Sequence, residues 1–485
     1  MKYLKICILI LFLSSASLAY ATALSLNQSR FVPGDNLVLT LTENWSGEAD
    51  VYIAVSLSTV DTLFFFTPPD FVPDFVPFVE VARASGSREI LQSVLPAGLP
   101  TGEYTFYAAA MRTRSFFDMV LDIASTSFIF ANVVGLSVGE HGTYKGCNGL
   151  QMAFNSVQDL NEIRIEQGTY ECNGLLIPES KSFEHGIKIS GGWDSRFENQ
   201  SDDPAVTILD GKEKGRILSV SADMKVDIEG LSFQNGYGGD GGAISGNGEV
   251  SITNCIFTNN RAYFSYGGAV FGAGTITNST FTNNGARFGG AVSDTNTITN
   301  STFNNRANFD GMISAVSDAG TITKSALTNV LVFYNGYGGA VHNVSTITNS
   351  TFTNNKADNS GGAVHNVGTI TNSTFTNNSA FYGGAVYDVG ALINSTFTNN
   401  SVSDFLYLPG SGAGGAVYSS YSTITNSTFT NNSASENGGA YYGGGTILNS
   451  IFAQNKVGEE ANDITPTGDL HVDYTLVNYV SGAVK

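Results

Sequence analysis

The sequence is poor in charged side chains, and poorest in basic ones. Charged residues make up 13% of the 485 positions, and 23 lysines and arginines stand against 42 aspartates and glutamates, which gives a formal net charge of -19. Nucleic acids and anionic membranes bind stripes of basic side chains, so this balance disfavours both classes of partner, and we predict no nucleic-acid partner. It favours solubility instead. Abundant Gly, Asn, Ser and Thr are typical of an extracellular β-rich protein with many turns.

Long apolar runs are missing as well, apart from a short one near the N-terminus. Lys2 and Lys5 precede an apolar run at 6–13, and small residues at Ala19 and Ala21 form an export cleavage pattern. We predict a signal peptide at 1–21, and hence an exported protein. No later stretch approaches the ~20 apolar residues of a membrane helix, so we predict no transmembrane segment after signal cleavage.

Cysteine is scarce, with four in the chain and three after the signal peptide. An oxidising compartment permits disulfides. Cys147 and Cys172 lie 25 residues apart, which is close to the repeat length described below, and we predict that they pair across neighbouring coils. Cys255 occupies a position where later repeats have serine, and we expect it to be a small buried residue.

The first 110 residues after the signal differ in pattern from the rest. Alternating apolar segments at 37–41, 50–55 and 104–107 are separated by turn signals around Pro33, Pro68 and Pro100. Short strands at this spacing predict an immunoglobulin-like β-sandwich at 22–132.

A repeat of about 23 residues dominates the chain from residue 231. One element is Gly-Gly-Ala-Val and the other is Thr-Ile-Thr-Asn-Ser-Thr-Phe-Thr-Asn-Asn, or close copies. Self-similarity at this period indicates a solenoid. The repeat has no helix-forming stretch and almost no Leu, so each coil consists of strands and tight turns. We predict an all-β chain with a right-handed parallel β-helix at 133–475, irregular up to 230, and a tail at 476–485.

The repeat positions predict the interior of each coil. Phe257 and Ile276 stand for two inward columns, and Ser279, two residues before a Phe, also points inward because strand side chains alternate with period two. Asn tolerates the left-handed backbone of a sharp corner, and stacked amides form hydrogen-bonded ladders. We predict corners and a ladder at one Asn column: Asn254, Asn278, Asn300, Asn349, Asn372, Asn394, Asn426 and Asn449.

These alternating elements, as at Gly361 and Phe375, resemble the repeats of chlamydial-type polymorphic outer membrane proteins over about residues 231–455. The resemblance implies a surface-exposed or secreted bacterial β-helix protein, commonly an autotransporter passenger implicated in adhesion. Such autotransporters carry a C-terminal barrel of many ~10-residue strands, whereas 33 residues follow Phe452. We therefore expect a protein that is released, held by another component, or left in the periplasm.

The leading hypothesis is a non-enzymatic, adhesin-like monomer at the extracellular or outer-membrane surface. It would present a β-helix face to an extracellular glycan or protein, without a cofactor. The ligand-binding candidates follow Gly-Gly-Ala-Val and should point outward, where aromatic rings can stack on sugars; stacking for stability alone is the alternative. They are Phe271, His342, His365, Tyr387, Tyr418 and Tyr442, with Ser293 in the same column. Two histidines make an incomplete metal site, so we predict no metal.

The alternative function is a polysaccharide lyase or hydrolase of the parallel β-helix class. Such enzymes need clustered carboxylates beside a basic residue. The most degenerate coil offers Asp310, Asp318 and Lys324 as the best catalytic candidates, although solvated charges in a drifted repeat are the favoured explanation. An insertion at 401–413 carries apolar residues that suit either a partner contact or a cover for a neighbouring coil.

Overall fold

The computed structural model divides the chain into two compact units, the first ending at Val134 and the second beginning at Gly135. The predicted signal peptide, residues 1–21, lies outside the described residues. These run from 23 to 480, with gaps at 28–29, 32–35, 44–47, 58–59, 68–69, 73–78, 84–85, 95–101, 113–119, 131–135, 158–160, 178–185, 222–223, 247–248, 306–313, 333–335 and 403–411.

The first unit contains two sheets whose strands pair antiparallel, except that Arg30–Phe31 pairs parallel with Val120–Phe130. In Asn36–Glu43, Leu37, Leu39 and Leu41 are buried, as period-two alternation requires. The immunoglobulin-like assignment stays a prediction. The strands are Ala23–Leu26, Arg30–Phe31, Asn36–Glu43, Glu48–Leu57, Val60–Thr67, Asp70–Val72, Val79–Arg83, Gly86–Val94, Gly102–Arg112 and Val120–Phe130.

The second unit is a parallel β-solenoid of about 13 turns, and the chain is all-β, with 58% strand. Its coils form a wide sheet, a phenylalanine sheet and a narrow sheet. The wide sheet consists of Leu136–Val138, Glu162–Glu166, Leu175–Ile177, Ile187–Trp193, Leu218–Val220, Val226–Glu229, Ile244–Gly246, Val250–Thr253, Val270–Phe271, Thr275–Thr277, Val292–Thr299, Val316–Thr323, Val341–Thr348, Val364–Thr371, Val386–Ile393, Val417–Thr425, Tyr441–Leu448, Ile464–Thr465 and Leu470–Asp473.

The phenylalanine sheet follows the wide sheet along the coils, and the narrow sheet is formed by the coils between 331 and 461. The phenylalanine sheet consists of Gly168–Glu171, Thr207–Asp210, Ser232–Gln234, Ile256–Thr258, Thr280–Thr282, Thr302–Asn304, Ala326–Thr328, Thr351–Thr353, Thr374–Thr376, Thr396–Thr398, Thr428–Thr430, Ile451–Ala453 and Leu476–Val477. The narrow sheet consists of Leu331–Val332, Lys356–Ala357, Ser379–Ala380, Ser401–Val402, Ser433–Ala434, Lys456–Val457 and Glu460–Ala461. Tyr237–Gly238 pairs separately with Arg261–Ala262. Because Leu476–Val477 pairs with the preceding coil, the solenoid continues into the segment predicted as a tail.

The first coils are joined to a helix that the repeat pattern does not predict. Helix α1, Gly146–Ser156, buries Leu150, Ala153 and Phe154 against them. Cys147 on this helix forms a disulfide with Cys172, with the Cα atoms 5.3 Å apart. A short 3-10 turn at Pro204–Val206 interrupts a later coil.

Inward columns fill the solenoid as the repeat predicts. The inward phenylalanines of the phenylalanine sheet, from Phe233 to Phe452, are fully buried, and Leu327 takes their place in one coil. Neighbouring rings stack at 4.5–5.1 Å and are parallel within 2–7°. Ile276, Ser279 and Cys255 are also buried, and burial raises the pKa of the Cys255 thiol to about 12. The core predictions are therefore confirmed.

Two kinds of residue make the sharp corners. The predicted Asn column has φ values of 46–52°, and Lys324 takes the same conformation in the coil where it replaces Asn. Gly361 represents the first glycine of Gly-Gly-Ala-Val, with φ of 64°, a conformation that glycine adopts without a steric penalty. At the second glycine, a Cβ on Gly362 would collide with the carbonyl oxygen of Gly384 in the next coil.

The long amide ladder lies at a different repeat position from the predicted one, five or six residues later in each coil. The corner column shows only local side-chain bonds, such as Asn300 to Asn278 at 2.6 Å. The last Asn of Phe-Thr-Asn-Asn is buried instead, and Asn378 is typical: its Nδ2 donates to Asn400 Oδ1 and to the Phe352 carbonyl, both at 3.0 Å. Amide groups at the exposed corners can form hydrogen bonds with water, whereas buried amide groups must form them with one another. The ladder residues are Asn260, Asn284, Asn305, Asn355, Asn378, Asn400, Asn432 and Asn455.

One gap interrupts this ladder. Val330 occupies the ladder position between Asn305 and Asn355, and its backbone N–H donates to Asn355 Oδ1 at 3.1 Å. Asn305 Nδ2 is consequently buried without a hydrogen-bond partner. At the C-terminal end, Asn455 Nδ2 donates to the buried Asp463 carboxylate at 2.7 Å.

The ladder predicts a large penalty for removing one amide. Asn378→Ala removes the partners of the Phe352 carbonyl, of the Asn355 backbone N–H and of one of the two N–H groups on Asn355 Nδ2, so we expect a loss of about 3 kcal/mol in the free energy of unfolding. Chemical denaturation measures it. Asn377→Gly is the matched control, because glycine suits the left-handed φ of 56° at this exposed neighbour; a change there above about 0.5 kcal/mol would contradict the assignment.

The gap predicts that a polar amide in place of Val330 stabilises the protein. Val330→Asn supplies the missing acceptor to Asn305 Nδ2, and we expect a gain of about 1 kcal/mol in the same measurement. Val332→Asn is the control: Val332 is also buried but lies outside the ladder, so there the amide should destabilise. Equal destabilisation by both variants would show that the gap is not an unfilled ladder position.

Candidate ligand-binding face

The predicted aromatic column is an in-register row on the outer surface of the wide sheet. Parallel pairing aligns His342 with His365, His365 with Tyr387, Tyr387 with Tyr418, and Tyr418 with Tyr442. Each follows a buried Val or Tyr and is itself half-buried, as strand alternation requires. We name these five residues the aromatic row. Phe271 belongs to the same column, but Ser293 and Ser317 separate it from the row.

The rings of the row stack on one another. Ring centroids lie 5.2 Å apart for His342 and His365, 5.0 Å for His365 and Tyr387, and 4.9 Å for Tyr387 and Tyr418, with planes within 2–13°. Tyr442 is tilted by 42° against Tyr418. The faces inside the row are therefore covered by neighbouring rings. The expectation that these rings stack face-on with sugars needs correction: mainly their edges and hydroxyl groups are available.

A second group of rings, which the sequence reasoning missed, flanks the row. Tyr337 lies edge-to-face against His365 at 5.1 Å and 62°, and Tyr382 against Tyr418 at 5.7 Å and 75°. Both precede a Gly-Gly pair, so an aromatic residue directly before that motif was the available signal. Tyr337 is 39% exposed. Because these two rings are turned across the stack, we name Tyr337 and Tyr382 the cross rings.

Polar side chains run beside the row on its other side. In four neighbouring coils, the residue that follows the column position is exposed and left-handed, with φ values of 53–61° for Asp318, Asn343, Asn366 and Asp388. Asn343 Nδ2 donates to Asp318 Oδ1 at 2.6 Å, and Asn366 Nδ2 donates to Asn343 Oδ1 at 3.1 Å. The face thus combines rings with a line of amide and carboxylate groups.

The two histidines are neutral at physiological pH. Burial lowers the pKa of His342, against an opposing effect of the Asp318 carboxylate. Burial and the neighbouring His342 lower the pKa of His365 to about 4. Nδ1 of His365 is buried and has no hydrogen-bond partner. Uncharged imidazoles can stack closely, whereas two imidazolium rings in contact would repel each other.

The tyrosine hydroxyls are neutral as well. Burial raises the pKa of Tyr387, and Asp388 adds to the rise. Burial, followed by Tyr387, raises the pKa of Tyr418. Each phenol therefore keeps its proton and can both donate and accept a hydrogen bond.

The catalytic candidates do not form a described cluster. Asp310 lies outside the described residues. Asp318 belongs to the polar line beside the aromatic row, and Lys324 is an exposed corner residue. Among the described residues, no three His, Cys, Asp or Glu side chains are grouped so that they could hold a metal ion.

Comparison with known families matches the coils that carry this face. Residues 349–367 and 394–420 match the Chlamydia polymorphic membrane protein repeat. The chain carries polymorphic membrane protein repeats. The matched segments include His365 and Tyr418, and the repeat together with the solenoid indicates a surface-exposed outer membrane protein. No curated protein matches the sequence. Within the described part of the chain, no helix is both long and apolar enough to cross a membrane.

The stacked histidines predict a pH dependence of stability. The ordinary pKa of His is 6.5, and the pKa of His365 in the folded protein is about 4. As the pH falls, the unfolded chain therefore binds a proton at this residue before the folded chain does. We expect stability to be complete above about pH 6.5 and to fall as the pH drops toward about 4. His342→Phe/His365→Phe keeps the stack and should remove this component. Denaturation midpoints of both proteins across the window measure it, and parallel pH profiles would contradict the prediction.

Proposed function

We propose that the protein is an exported, adhesin-like surface protein that binds carbohydrate through the aromatic face of its solenoid. The observation that carries the proposal is the combination, on one face, of the aromatic row, the cross rings and the polar line from Asp318 to Asp388. Sugars present apolar ring faces together with many hydroxyl groups, and a binding site needs surfaces for both.

The cross rings supply the apolar contact. Their planes lie across the stack, so the stack covers their faces less completely than it covers those of its own members. Tyr337 and Tyr382 are two coils apart in register through Ser360, a separation of about 10 Å along the axis. Two rings at this distance suit an extended saccharide that runs along the solenoid.

The row and the polar line supply the hydrogen bonds. The hydroxyls of Tyr387 and Tyr418 donate or accept, while the exposed Asn343 and Asn366 amides offer both kinds of group. The row is uncharged and the polar line is weakly acidic, which favours neutral glycans over acidic ones. Such contacts are individually weak, so affinity comes from several along one chain.

Glycan-array binding by the full chain tests the proposal. Tyr337→Ala/Tyr382→Ala removes the apolar contacts, and we expect a loss of about tenfold in affinity for the bound glycan. Tyr421→Ala is the matched control, because Tyr421 is 67% exposed on the same sheet but lies outside both groups of rings. Binding that the double variant leaves unchanged would remove the aromatic face from the proposal.

A second variant separates hydrogen bonding from stability. Tyr387→Phe/Tyr418→Phe keeps the stacked rings and removes their hydroxyls, so the melting temperature should stay within a few degrees while glycan affinity falls. Unchanged affinity together with a lower melting temperature would assign the row to stability alone.

A further inference from the structure

The outer surface of the phenylalanine sheet is a separate face with its own chemistry. Each strand has one inward Phe, or Leu327 in one coil, between two outward residues, and threonine occupies most of the outward positions from 256 to 453. Thirteen threonines occupy them, and Ile256, Asn304, Ala326, Ile451 and Ala453 fill the rest: Thr258, Thr280, Thr282, Thr302, Thr328, Thr351, Thr353, Thr374, Thr376, Thr396, Thr398, Thr428 and Thr430. None of these positions is ionisable.

Four consecutive coils make the array continuous. Thr351, Thr374, Thr396 and Thr428 align in one exposed or half-exposed column, and the second threonines of the same strands align in a half-exposed column. We name these eight residues the threonine grid: Thr351, Thr353, Thr374, Thr376, Thr396, Thr398, Thr428 and Thr430. Neighbours are about 4.8 Å apart along the axis and about 6.6 Å apart across a strand.

The grid is flat. Neighbouring strands in ordinary sheets are rotated by roughly 20–25°. Beneath the grid, the rings of Phe352, Phe375, Phe397 and Phe429 are parallel within 2–4° from each coil to the next. Because these rings stack in register without rotation, the strands that carry them are also nearly untwisted. The hydroxyl and methyl groups above them therefore repeat in a plane.

The grid is also rigid. Threonine is β-branched and has few χ1 states in a strand, so each hydroxyl has a restricted position. Thr398 Oγ1 lies 3.3 Å from Thr430 Oγ1. The buried amide ladder through Asn378 and Asn400 holds the coils just beyond each strand. The partner of such a surface needs no induced fit, but it must itself repeat on a planar lattice.

We propose that the threonine grid binds the surface of ice. Ice is uncharged and planar, and its surface oxygens repeat at spacings close to those of the grid in both directions. Hydroxyl groups can enter the lattice hydrogen bonding while the methyl groups fill the spaces between, and water ordered between threonines can join the crystal. Because no ionisable side chain lies among the outward positions, no strongly held hydration shell must be removed on contact.

Regularity matters more here than the strength of any contact. One hydroxyl gains little by exchanging liquid water for ice, but eight fixed positions act together. A flexible or curved ligand would gain nothing from a lattice of identical groups. This inference uses a different sheet from the proposed glycan face, so each can fail without the other.

Ice affinity of the full chain tests the inference. The fluorescently labelled protein is dissolved in water from which an ice hemisphere grows slowly, and the fraction incorporated into the ice is measured. The shape of single ice crystals in the presence of the protein is observed in a nanolitre osmometer. We expect the wild type to enter the ice and to facet crystals. Thr351→Lys/Thr396→Lys places two hydrated charges on the grid, and incorporation should fall by about tenfold or more.

A matched control places the same charges elsewhere. Ser345→Lys/Ser420→Lys changes two exposed positions on the wide sheet and should leave ice binding intact, with circular dichroism confirming that both variants fold. Thr374→Val keeps the branched shape without the hydroxyl and should give an intermediate loss. A wild type excluded from ice like an ordinary protein would overturn the inference. So would equal losses in both lysine variants, or a grid variant that changes glycan binding alone.

Discussion

In-register parallel pairing of successive coils is the constraint on which the whole solenoid depends. Each coil hydrogen-bonds to the next through its backbone, as from Ala340 N to the Ala363 carbonyl at 2.8 Å. Every side chain must therefore lie above its counterpart, about 4.8 Å away. A single residue choice becomes a column: Phe gives a stack, buried Asn a ladder, and outward Thr a grid. A column stabilises the solenoid only where side chains in neighbouring coils match. One substitution therefore changes the contacts with two coils.

Much of this architecture was predictable, because a repeat of known strand period assigns each position to the inside, the outside or a corner. The Phe, Ile and Ser interior and the left-handed Asn254 column follow from that assignment. The ladder does not follow from that assignment. Asn377 and Asn378 are adjacent residues of the same type, and only the turn geometry places the first side chain outside and the second inside. Helix α1 lies outside the repeat, so no periodicity predicts it.

The candidate site was predictable in place but not in geometry. Alternation places His365 and Tyr387 outside, yet it cannot say that their planes are parallel, which depends on rotamers and on packing between coils. The glycine corner after Tyr337 turns that ring beside His365, a contact that no spacing along the chain reveals. Distinct surfaces therefore arise from one repeat, an aromatic one on the wide sheet and a hydroxyl one on the phenylalanine sheet.

The amide ladder has a direction and a chemically defined end. Apart from Asn305, each ladder asparagine donates from Nδ2 towards the C-terminal coil, so the column has a direction. Asp463 receives the last donor from Asn455 and also accepts the backbone N–H groups of Asn478 and Tyr479. A carboxylate has no NH2 group to offer onward. The exchange of an amide for an acid at this one position thus ends the amide ladder and ties the last coil to the segment at 478–479.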